Sequence, residues 1–299
     1  MLSGAELIAN YHQNEYQQCD KTFENSGWLS TRESFTLISH ISTSIFLPIH
    51  VFGMYCVLFQ TPSSMSTVKW PLLNFQIFAC LGDLTICCLL TPYLFFPSLA
   101  GFTVGLLPVL KVGKYLQVLF AVIVAYSMLI SITAMFENRF NHLPMNKYKI
   151  TNKYTRFFYY FIRYFVYLFY GVPIVFSKPI QNMAQYEILQ MIPCPTEEFF
   201  KYSIFVIYSN NDWYLYLLFF TLFNICFECC QILFFAIFCF VSLYFKPYVL
   251  TSQKARKLQF YFLWSVMMQI CIPLLIMGLP AIVVGLIFFF KYYNQSDIN

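Results

Sequence analysis

The feature that most constrains this chain is a series of apolar segments, each about as long as a membrane is thick. A helix needs roughly 20 apolar residues to cross a hydrocarbon core about 30 Å thick. Six such segments are present: residues 35–59, 70–95, 115–136, 157–176, 213–245 and 258–290. The pattern predicts an all-α fold, a polytopic bundle of transmembrane helices over residues 34–290, between an N-terminal tail (1–33) and a short C-terminal tail (291–299).

Composition excludes an ordinary soluble domain. Hydrophobic residues make up 59% of the chain and charged residues only 10%, whereas a soluble domain carries about 25% charged residues because its surface faces water. Lipid must therefore form much of the solvent around this chain. Aromatic residues, at 21%, suit the lipid-facing and interfacial positions at which such rings are enriched.

The charges in the connecting segments predict the orientation of the bundle. With the N-terminus outside the cell, the cytoplasmic segments would be residues 61–69, 137–156 and 246–257. Ten basic residues lie in these segments, with Glu137 as their sole acid, and the N-terminal tail is acidic. Cytoplasmic loops of membrane proteins carry an excess of Lys and Arg, so this orientation is favoured. Six crossings from an outer N-terminus would leave the C-terminus outside.

Three charged residues fall inside the predicted spans. Asp83 lies in the second, Arg163 one to two turns into the fourth, and Glu228 in the middle of the fifth. Charges in lipid are costly, so each is a candidate for a functional role. The alternative is that each faces a neighbouring helix or a small water pocket and only aids packing, and Arg163 could also extend toward the cytoplasmic interface. The sequence identifies no partner for Glu228.

Eleven cysteines raise the question of disulfides and metals. Nine fall within predicted spans, where a free cysteine behaves as a small hydrophobic residue. Cys19 and Cys194 lie in outer segments, which face an oxidising compartment, so a disulfide between them is a reasonable hypothesis. Cys226 and Cys229 have CxxC spacing, but no histidine or second CxxC lies nearby, so a zinc site is not expected. Asn294 begins an Asn-Gln-Ser sequon that would face outward in a six-span topology.

Motifs for catalysis are missing from the sequence. It has no phosphate loop, no GxSxG and no HExxH, so we expect no enzymatic activity, catalytic residue, metal or cofactor, and no nucleic-acid partner. A voltage-gated channel is disfavoured, because the fourth span carries one basic residue rather than a ladder of them. No inverted repeat favours a transporter.

An acid and an arginine lie two residues apart where the third span meets the cytoplasm. The sequence there is FENRF at residues 136–140. Glu137 and Arg139 can hold an inactive state through a local ion pair, which breaks and frees the arginine when helices shift. The alternative is an ordinary interfacial arginine that ends a span.

Several stretches together resemble the nematode serpentine receptors of class H, a large chemoreceptor family related to G-protein-coupled receptors. They are LPIHVFGMYCVLFQTPSSMSTVKWPLLN at residues 47–74, LGDLTICCLLTPYLFFPSLAG at 81–101, FENRF at 136–140, IPCPTEEFF at 192–200 and LQFYFLWSVMMQICIP at 258–273. These stretches follow the expected order over nearly the whole chain. The TPxxMxxVKW loop together with FENR is fairly specific.

The resemblance implies a GPCR-like (rhodopsin-like) bundle of seven spans in the plasma membrane, in the cilia of sensory neurons, with an extracellular N-terminus. It implies binding of small-molecule odorants or metabolites, signalling to a heterotrimeric G protein, and association of receptors into oligomers. Glu137 and Arg139 stand where the family's counterpart of the acid-Arg-Tyr switch lies, and Asp83 matches the acid of its second span. The ligand pocket is expected to open outward among spans two, three, five and six.

The family's seventh span has no counterpart among the six predicted segments. The chain is then either a shortened form of a seven-span receptor or a membrane partner that pairs with full-length receptors without signalling. A transporter or channel is a third interpretation. The first two differ in whether the chain transduces a signal, and the third in whether it moves a solute.

Overall fold

A computed structural model describes most of the chain through the fifth predicted span. The described residues are 3–18, 32–61, 66–95, 98, 100–142, 149–150, 152–176, 180–192, 195–206 and 211–245, with single residues at 257, 260, 261, 264, 267 and 268. Cys19, Cys194, Asn294, the greater part of the sixth predicted span and the tail at 291–299 lie outside the described residues. The predictions made for them stay predictions.

The described part of the chain is mainly helical. Its long helices are α2 (Arg32–Phe59), α3 (Ser66–Leu84), α5 (Lys114–Asn141), α6 (Lys153–Phe176) and α9 (Asn211–Phe245). The shorter helices are α1 (Gly4–Asn14), α4 (Leu106–Val109), α7 (Gln181–Met191) and α8 (Glu198–Lys201). The strands β1 (Pro92–Phe95), β2 (Ala100–Thr103) and β3 (Phe205–Val206) form an antiparallel sheet in the order β1-β2-β3.

The long helices correspond to predicted membrane spans. Among the described residues, four helical stretches are long and apolar enough to cross a membrane: Arg32–Phe59, Thr67–Leu90, Lys114–Asn141 and Phe219–Ser242. They fall on the first, second, third and fifth predicted spans. The fourth predicted span forms α6, a helix of 24 residues that is not among these four stretches, so its crossing of the membrane stays a prediction. The fold is therefore that of a multi-pass membrane protein.

The second span ends earlier than the sequence predicted. We expected a helix over residues 70–95, but α3 continues only through a π-helical turn at Thr85–Leu90, and Pro92–Phe95 is strand β1. Thr91 adopts a left-handed backbone with φ of 42°, and Pro92 disfavours the right-handed helical conformation for the residue before it. The third span ends later than predicted, since α5 continues to Asn141 rather than to residue 136.

Helix α5 is the centre of the bundle. It packs against α3, α6 and α9, and 44% of its most apolar stretch is buried, against 22% or less for the other three stretches that can cross a membrane. The apolar core between α3, α5 and α9 consists of Phe75, Ile132, Met135, Phe136, Phe140, Ile232, Ala236 and Cys239. A displacement of α5 would therefore disturb all of its neighbours.

A small folded unit, which we call the terminal cap, lies where α3 stops and α5 starts. It consists of the β-sheet with α1, α7 and α8. Its buried core contains Tyr11, Phe95, Ala100, Phe102, Ala184, Ile188, Leu189, Phe199 and Val206. Within the sheet, Pro92 pairs with Thr103 and Ala100 pairs with Val206. The sheet thus joins the segment between α3 and α5 to the segment between α6 and α9.

Polar contacts hold the terminal cap against the bundle. Lys114, the first residue of α5, donates through Nζ to the Ser203 carbonyl oxygen at 2.7 Å. Arg32, the first residue of α2, donates through Nη1 to the Tyr202 hydroxyl at 2.7 Å, and its guanidinium lies 4.5 Å from the centre of that ring. Both α2 and α5 therefore begin against the cap.

Gly101→Ala tests how closely β1 and β2 approach. A Cβ on Gly101 would lie 2.2 Å from the Tyr93 carbonyl oxygen, a backbone atom. We expect the variant to separate the strands and to lower the free energy of unfolding by roughly 1–3 kcal/mol, the usual cost of overpacking. The measurement is the Tm of the purified protein in detergent. Gly113→Ala is the matched control, because nothing lies within 4 Å of a Cβ there. Equal Tm values for the two variants would contradict this packing.

Candidate functional site

A row of polar side chains lies along one face of α6. Arg156, Tyr160, Arg163 and Tyr167 are spaced by four, three and four residues, which places them on the same side of a helix. The first two contact Glu137 of α5, and the other two contact Glu228 on α9. This polar face therefore points into the bundle rather than toward lipid.

Glu228 lies at the middle of α9 and is fully buried. Arg163 Nη2 forms a hydrogen-bonded ion pair with Glu228 Oε2. Thr133 of α5 donates to the same oxygen at 3.0 Å, and the Tyr167 hydroxyl donates to Oε1 at 2.5 Å. Both carboxylate oxygens therefore accept hydrogen bonds, and this one side chain binds groups from α5 and α6.

Arg163 is buried with its partner. Only 7% of its side chain is exposed, so it does not extend toward the interface, which was one alternative. Its Nη1 donates to the Tyr159 hydroxyl at 3.0 Å, and that hydroxyl donates to Gln231 Oε1 on α9 at 2.6 Å. An ionised side chain inside a membrane needs an opposite charge and hydrogen bonds, because water is not there to solvate it. Arg163 is the partner of Glu228 that the sequence alone did not identify.

Glu137 is a second buried acid, near the end of α5. Its side chain is 0% exposed. Its Oε2 accepts from Arg156 Nη2 at 2.6 Å and from the Tyr160 hydroxyl at 3.1 Å, while Oε1 accepts from Asn141 Nδ2. Arg156 is 32% exposed. The ion pair of Glu137 therefore joins α5 to α6 near one end of both helices.

Glu137 is paired with a residue on another helix, in contrast to the local ion pair with Arg139 that the sequence suggested. Residues two apart on a helix do not face each other, and Glu137 is paired with Arg156 on the next helix. Arg139 is partly buried on another side of α5. The acid is thus directed to α6, and the arginine is not its partner.

The two carboxylates belong to one set of polar side chains, which we call the polar network: Thr133, Glu137, Asn141, Arg156, Tyr159, Tyr160, Arg163, Tyr167, Glu228 and Gln231. Thr133 and Glu137 are four residues apart, or about 6 Å along the axis of α5. The rings of Tyr159 and Tyr160 lie 5.1 Å apart and connect the two halves on α6. The polar network therefore extends from the middle of α9 to the end of α5.

Asp83, the third predicted intramembrane charge, lies apart from the polar network. Its Oδ2 is 2.7 Å from His50 Nε2, and His50 Nδ1 is 3.0 Å from Gln76 Nε2. These contacts join α2 to α3. Asp83 is 52% exposed, whereas Glu137 and Glu228 are fully buried. A functional role for Asp83 stays a prediction.

A cleft of about 240 Å³ lies between α6 and α9 beside this network. It is lined by Tyr159, Ile162, Arg163, Val166, Tyr167, Asn224 and Phe227. The sequence predicted a pocket among spans two, three, five and six instead, and most of the sixth span lies outside the described residues. That pocket stays a prediction, whereas the cleft shares three side chains with the polar network.

The cysteines do not add a metal centre to the part of the chain that the structure describes. Within it, no group of three or more His, Cys, Asp or Glu side chains could hold a metal ion. Eight described cysteines are free thiols: Cys56, Cys80, Cys87, Cys88, Cys226, Cys229, Cys230 and Cys239. The polar network is therefore the candidate functional site.

Sequence reasoning missed Tyr160 and Tyr167 and treated Arg156 only as a loop charge. The sequence does contain a pattern that could have identified these residues, because Arg and Tyr recur at helical spacing along the fourth span. A polar stripe on an otherwise apolar helix indicates a face turned toward other helices. That stripe would have predicted partners for Glu137 and Glu228 on the fourth span.

Glu228→Leu tests the buried ion pair. The variant leaves the charge of Arg163 without its partner, so we expect the free energy of unfolding to fall by roughly 3–5 kcal/mol, measured as a lower Tm in detergent. The double variant Arg163→Leu/Glu228→Leu should recover most of that loss, because no uncompensated charge remains. Glu187→Gln, at an exposed position on α7, should leave the Tm unchanged. A double variant no more stable than Glu228→Leu would contradict the pairing.

Comparisons with known proteins agree with the resemblance seen in the sequence. The family model described as serpentine type 7TM GPCR chemoreceptor Srh matches residues 30–299, a range that contains the whole polar network. Serpentine receptor class H-72 of Caenorhabditis elegans is 29% identical over 258 residues, which cover 86% of this chain and 75% of the relative. No solved structure matches the chain significantly. With a family match over most of its length, the chain belongs to the Srh family of serpentine, seven-transmembrane GPCR-type chemoreceptors.

Proposed function

We propose that this chain is a chemosensory receptor that detects small-molecule odorants or metabolites outside the cell and signals to a heterotrimeric G protein inside. The observation that carries the proposal is the polar network, in which two fully buried carboxylates connect three long helices. Membership of the Srh family supports it. The proposed activity is transmission of a conformational change, without catalysis.

The ion pair of Glu137 and Arg156 is the proposed latch of the inactive state. It joins the end of α5 to the start of α6, and its 2.6 Å contact would be lost when either helix shifts by roughly 1–2 Å, a movement typical of switching proteins. Arg139, which lies two residues from Glu137 on another side of α5, is the proposed contact to the G protein. Opening of the latch would change how this end of the bundle is presented to that partner.

Helix α5 is the proposed connection between ligand and latch. Thr133 binds Glu228, and Glu137 lies one turn further along the same helix. A rotation of α5 that alters the contact with Glu228 therefore also moves Glu137. A ligand shifts such an equilibrium only by the difference between its affinities for the two arrangements.

In the proposed orientation, the terminal cap lies outside the cell and α5 ends at the cytoplasm. The excess of basic residues in segments 61–69, 137–156 and 246–257 supports it, since such residues favour the cytoplasmic side. The proposed location is the plasma membrane, specifically the ciliary membrane of sensory neurons. Association into receptor oligomers is part of the same proposal.

A membrane partner that pairs with full-length receptors without signalling is the second candidate. The apolar surface of α2 favours it, because none of its most apolar stretch is buried inside the described structure. Such a face contacts either lipid or another helix. The two candidates differ in one measurable property. The receptor itself signals, with or without ligand, whereas the non-signalling partner does not.

Arg156→Gln tests the proposed latch. The variant removes the charge that holds Glu137, so we expect ligand-independent reporter signalling in a heterologous cell to rise roughly fivefold. This rise corresponds to a loss of about 1 kcal/mol from the free-energy difference that favours the inactive state. Lys153→Gln is the matched control, because Lys153 is an exposed basic residue on the first turn of the same helix. Its signal should equal that of the unchanged chain at equal surface expression.

Arg139→Ala tests the proposed contact between Arg139 and the G protein. Combined with Arg156→Gln, it should return the reporter signal to background while surface expression stays constant. A signal that this change leaves intact would contradict the role of Arg139. If no variant signals, but the chain lowers signalling by a co-expressed full-length relative, the second candidate is favoured.

Epitope tags test the proposed orientation. A tag at the N-terminus should bind antibody on intact cells, and a tag inserted between α5 and α6 should bind only after the cells are permeabilised, because basic loops stay on the cytoplasmic side. The opposite staining would place the terminal cap in the cytoplasm and overturn the proposed orientation.

A further inference from the structure

The cleft between α6 and α9 opens on the lipid-facing surface of the described bundle. Ile162, Val166 and Phe227 form its apolar rim, and they are 44%, 38% and 47% exposed. Phe227 lies inside the stretch Phe219–Ser242 that can cross a membrane. A molecule dissolved in the bilayer can therefore reach the cleft without passing through water.

Arg163, which lines the cleft, has a buried hydrogen-bond donor that the described protein leaves unused. Arg163 donates through Nη1 to Tyr159 and through Nη2 to Glu228, but its Nε has no hydrogen-bond partner among the described residues. The Tyr159 and Tyr167 hydroxyls already donate elsewhere. An unsatisfied N–H in a membrane is costly, so an acceptor from a bound molecule would stabilise it.

Asn224 supplies a second polar group near the rim. It is buried, and its Nδ2 donates to the Phe220 carbonyl oxygen at 2.7 Å. An amide nitrogen carries two hydrogens, so one remains for a ligand. The polar wall of the cleft therefore offers donors at both the Arg163 and Asn224 positions.

Charge and size narrow the class of ligand. Arg163 and Glu228 neutralise each other, so a carboxylate ligand would add an uncompensated negative charge within lipid, and an ammonium ligand would lie beside the guanidinium of Arg163. A volume of about 240 Å³ is below the usual range of roughly 300–1,000 Å³ for drug-sized ligands. A small, neutral molecule with an apolar body and one acceptor fits both limits.

We propose that this cleft is a ligand site for a small, neutral, lipophilic molecule with one hydrogen-bond acceptor, such as a ketone, aldehyde or ester, which enters from the bilayer. Its acceptor oxygen binds the Arg163 and Asn224 donors, and its apolar part contacts Ile162, Val166 and Phe227. The effect of the bound ligand rests on the proposed receptor function. A ligand on Arg163 changes the ion pair with Glu228 and, through Thr133, the position of α5. Binding itself is independent of any G protein.

Photocrosslinking tests the site directly. The probe is a medium-chain 2-alkanone that carries an alkyl diazirine, applied to the full-length chain in lipid nanodiscs, with adducts mapped by mass spectrometry. We expect adducts on the cleft segments of α6 and α9. The unlabelled 2-alkanone should compete about tenfold better than the alkane or the carboxylate of equal length. Equal competition by the alkane would indicate a groove for acyl chains and overturn the proposal.

Two tryptophan variants distinguish the cleft from general lipid exposure. Val166→Trp fills the cleft, so labelling of α6 and α9 should fall about tenfold. Leu168→Trp adds the same bulk two residues away, at a position that is 51% exposed but does not line the cleft, and labelling should persist. Equal labelling of both variants, or adducts confined to other helices, would overturn the site.

The outcome also separates this site from the proposed function. If the unchanged chain is labelled in the cleft and Val166→Trp is not, the ligand site stands even when no reporter signal appears, and the receptor function fails alone. If 2-alkanones signal equally through the unchanged chain and Val166→Trp, the receptor function stands and the cleft is not its ligand site.

Discussion

The interior of a membrane offers no water to an ionised side chain, so a buried charge dictates the geometry of the groups around it. Glu228 and Arg163 impose this constraint on three helices, because Thr133 and Tyr167 must also reach the same carboxylate. A hydrogen bond tolerates a displacement of only a few tenths of an ångström between donor and acceptor. A slip of one residue along a helix rotates its side chains by about 100°. Contacts between Phe or Leu side chains do not set register in this way, because lipid tails are equally apolar. The rotation and register of α5, α6 and α9 therefore depend on this ion pair.

The two ion pairs of the polar network differ in how readily they exchange partners. At Glu228 both members are buried, with 7% exposure for Arg163, so separation leaves a charge in hydrocarbon. At Glu137 the partner, Arg156, is 32% exposed, so water or a lipid phosphate can replace the carboxylate beside it, while Glu137 keeps its hydrogen bonds from Tyr160 and Asn141. The first pair is thus the harder of the two to separate, and the second exchanges partners more readily.

Much of the membrane architecture could be predicted from the sequence, because hydrophobic length is a property of each segment alone. The helices on the first, third, fourth and fifth spans, the three intramembrane charges and the family resemblance all came from such local patterns. The contacts between segments could not be predicted in this way. Glu137 and Arg139 suggested a local pair, but the structure gives Glu137 a partner on α6. Residues 92–95 were assigned to a helix, because apolar composition alone does not distinguish a strand from the end of a span, although Pro92 marked the boundary.

The sheet of the terminal cap imposes an order on the assembly of the chain. Strands β1 and β2 are neighbours in sequence and can pair as a hairpin as soon as the segment after α3 is available. Strand β3 follows α6 and α7, and Ala100 pairs with Val206. Synthesis starts at the N-terminus and proceeds at about 5–20 residues per second. The third strand is therefore available only after α6 has been synthesised. Completion of the sheet therefore follows the synthesis of four long helices, and it requires the chain after α6 to return to the end of the bundle at which α5 begins.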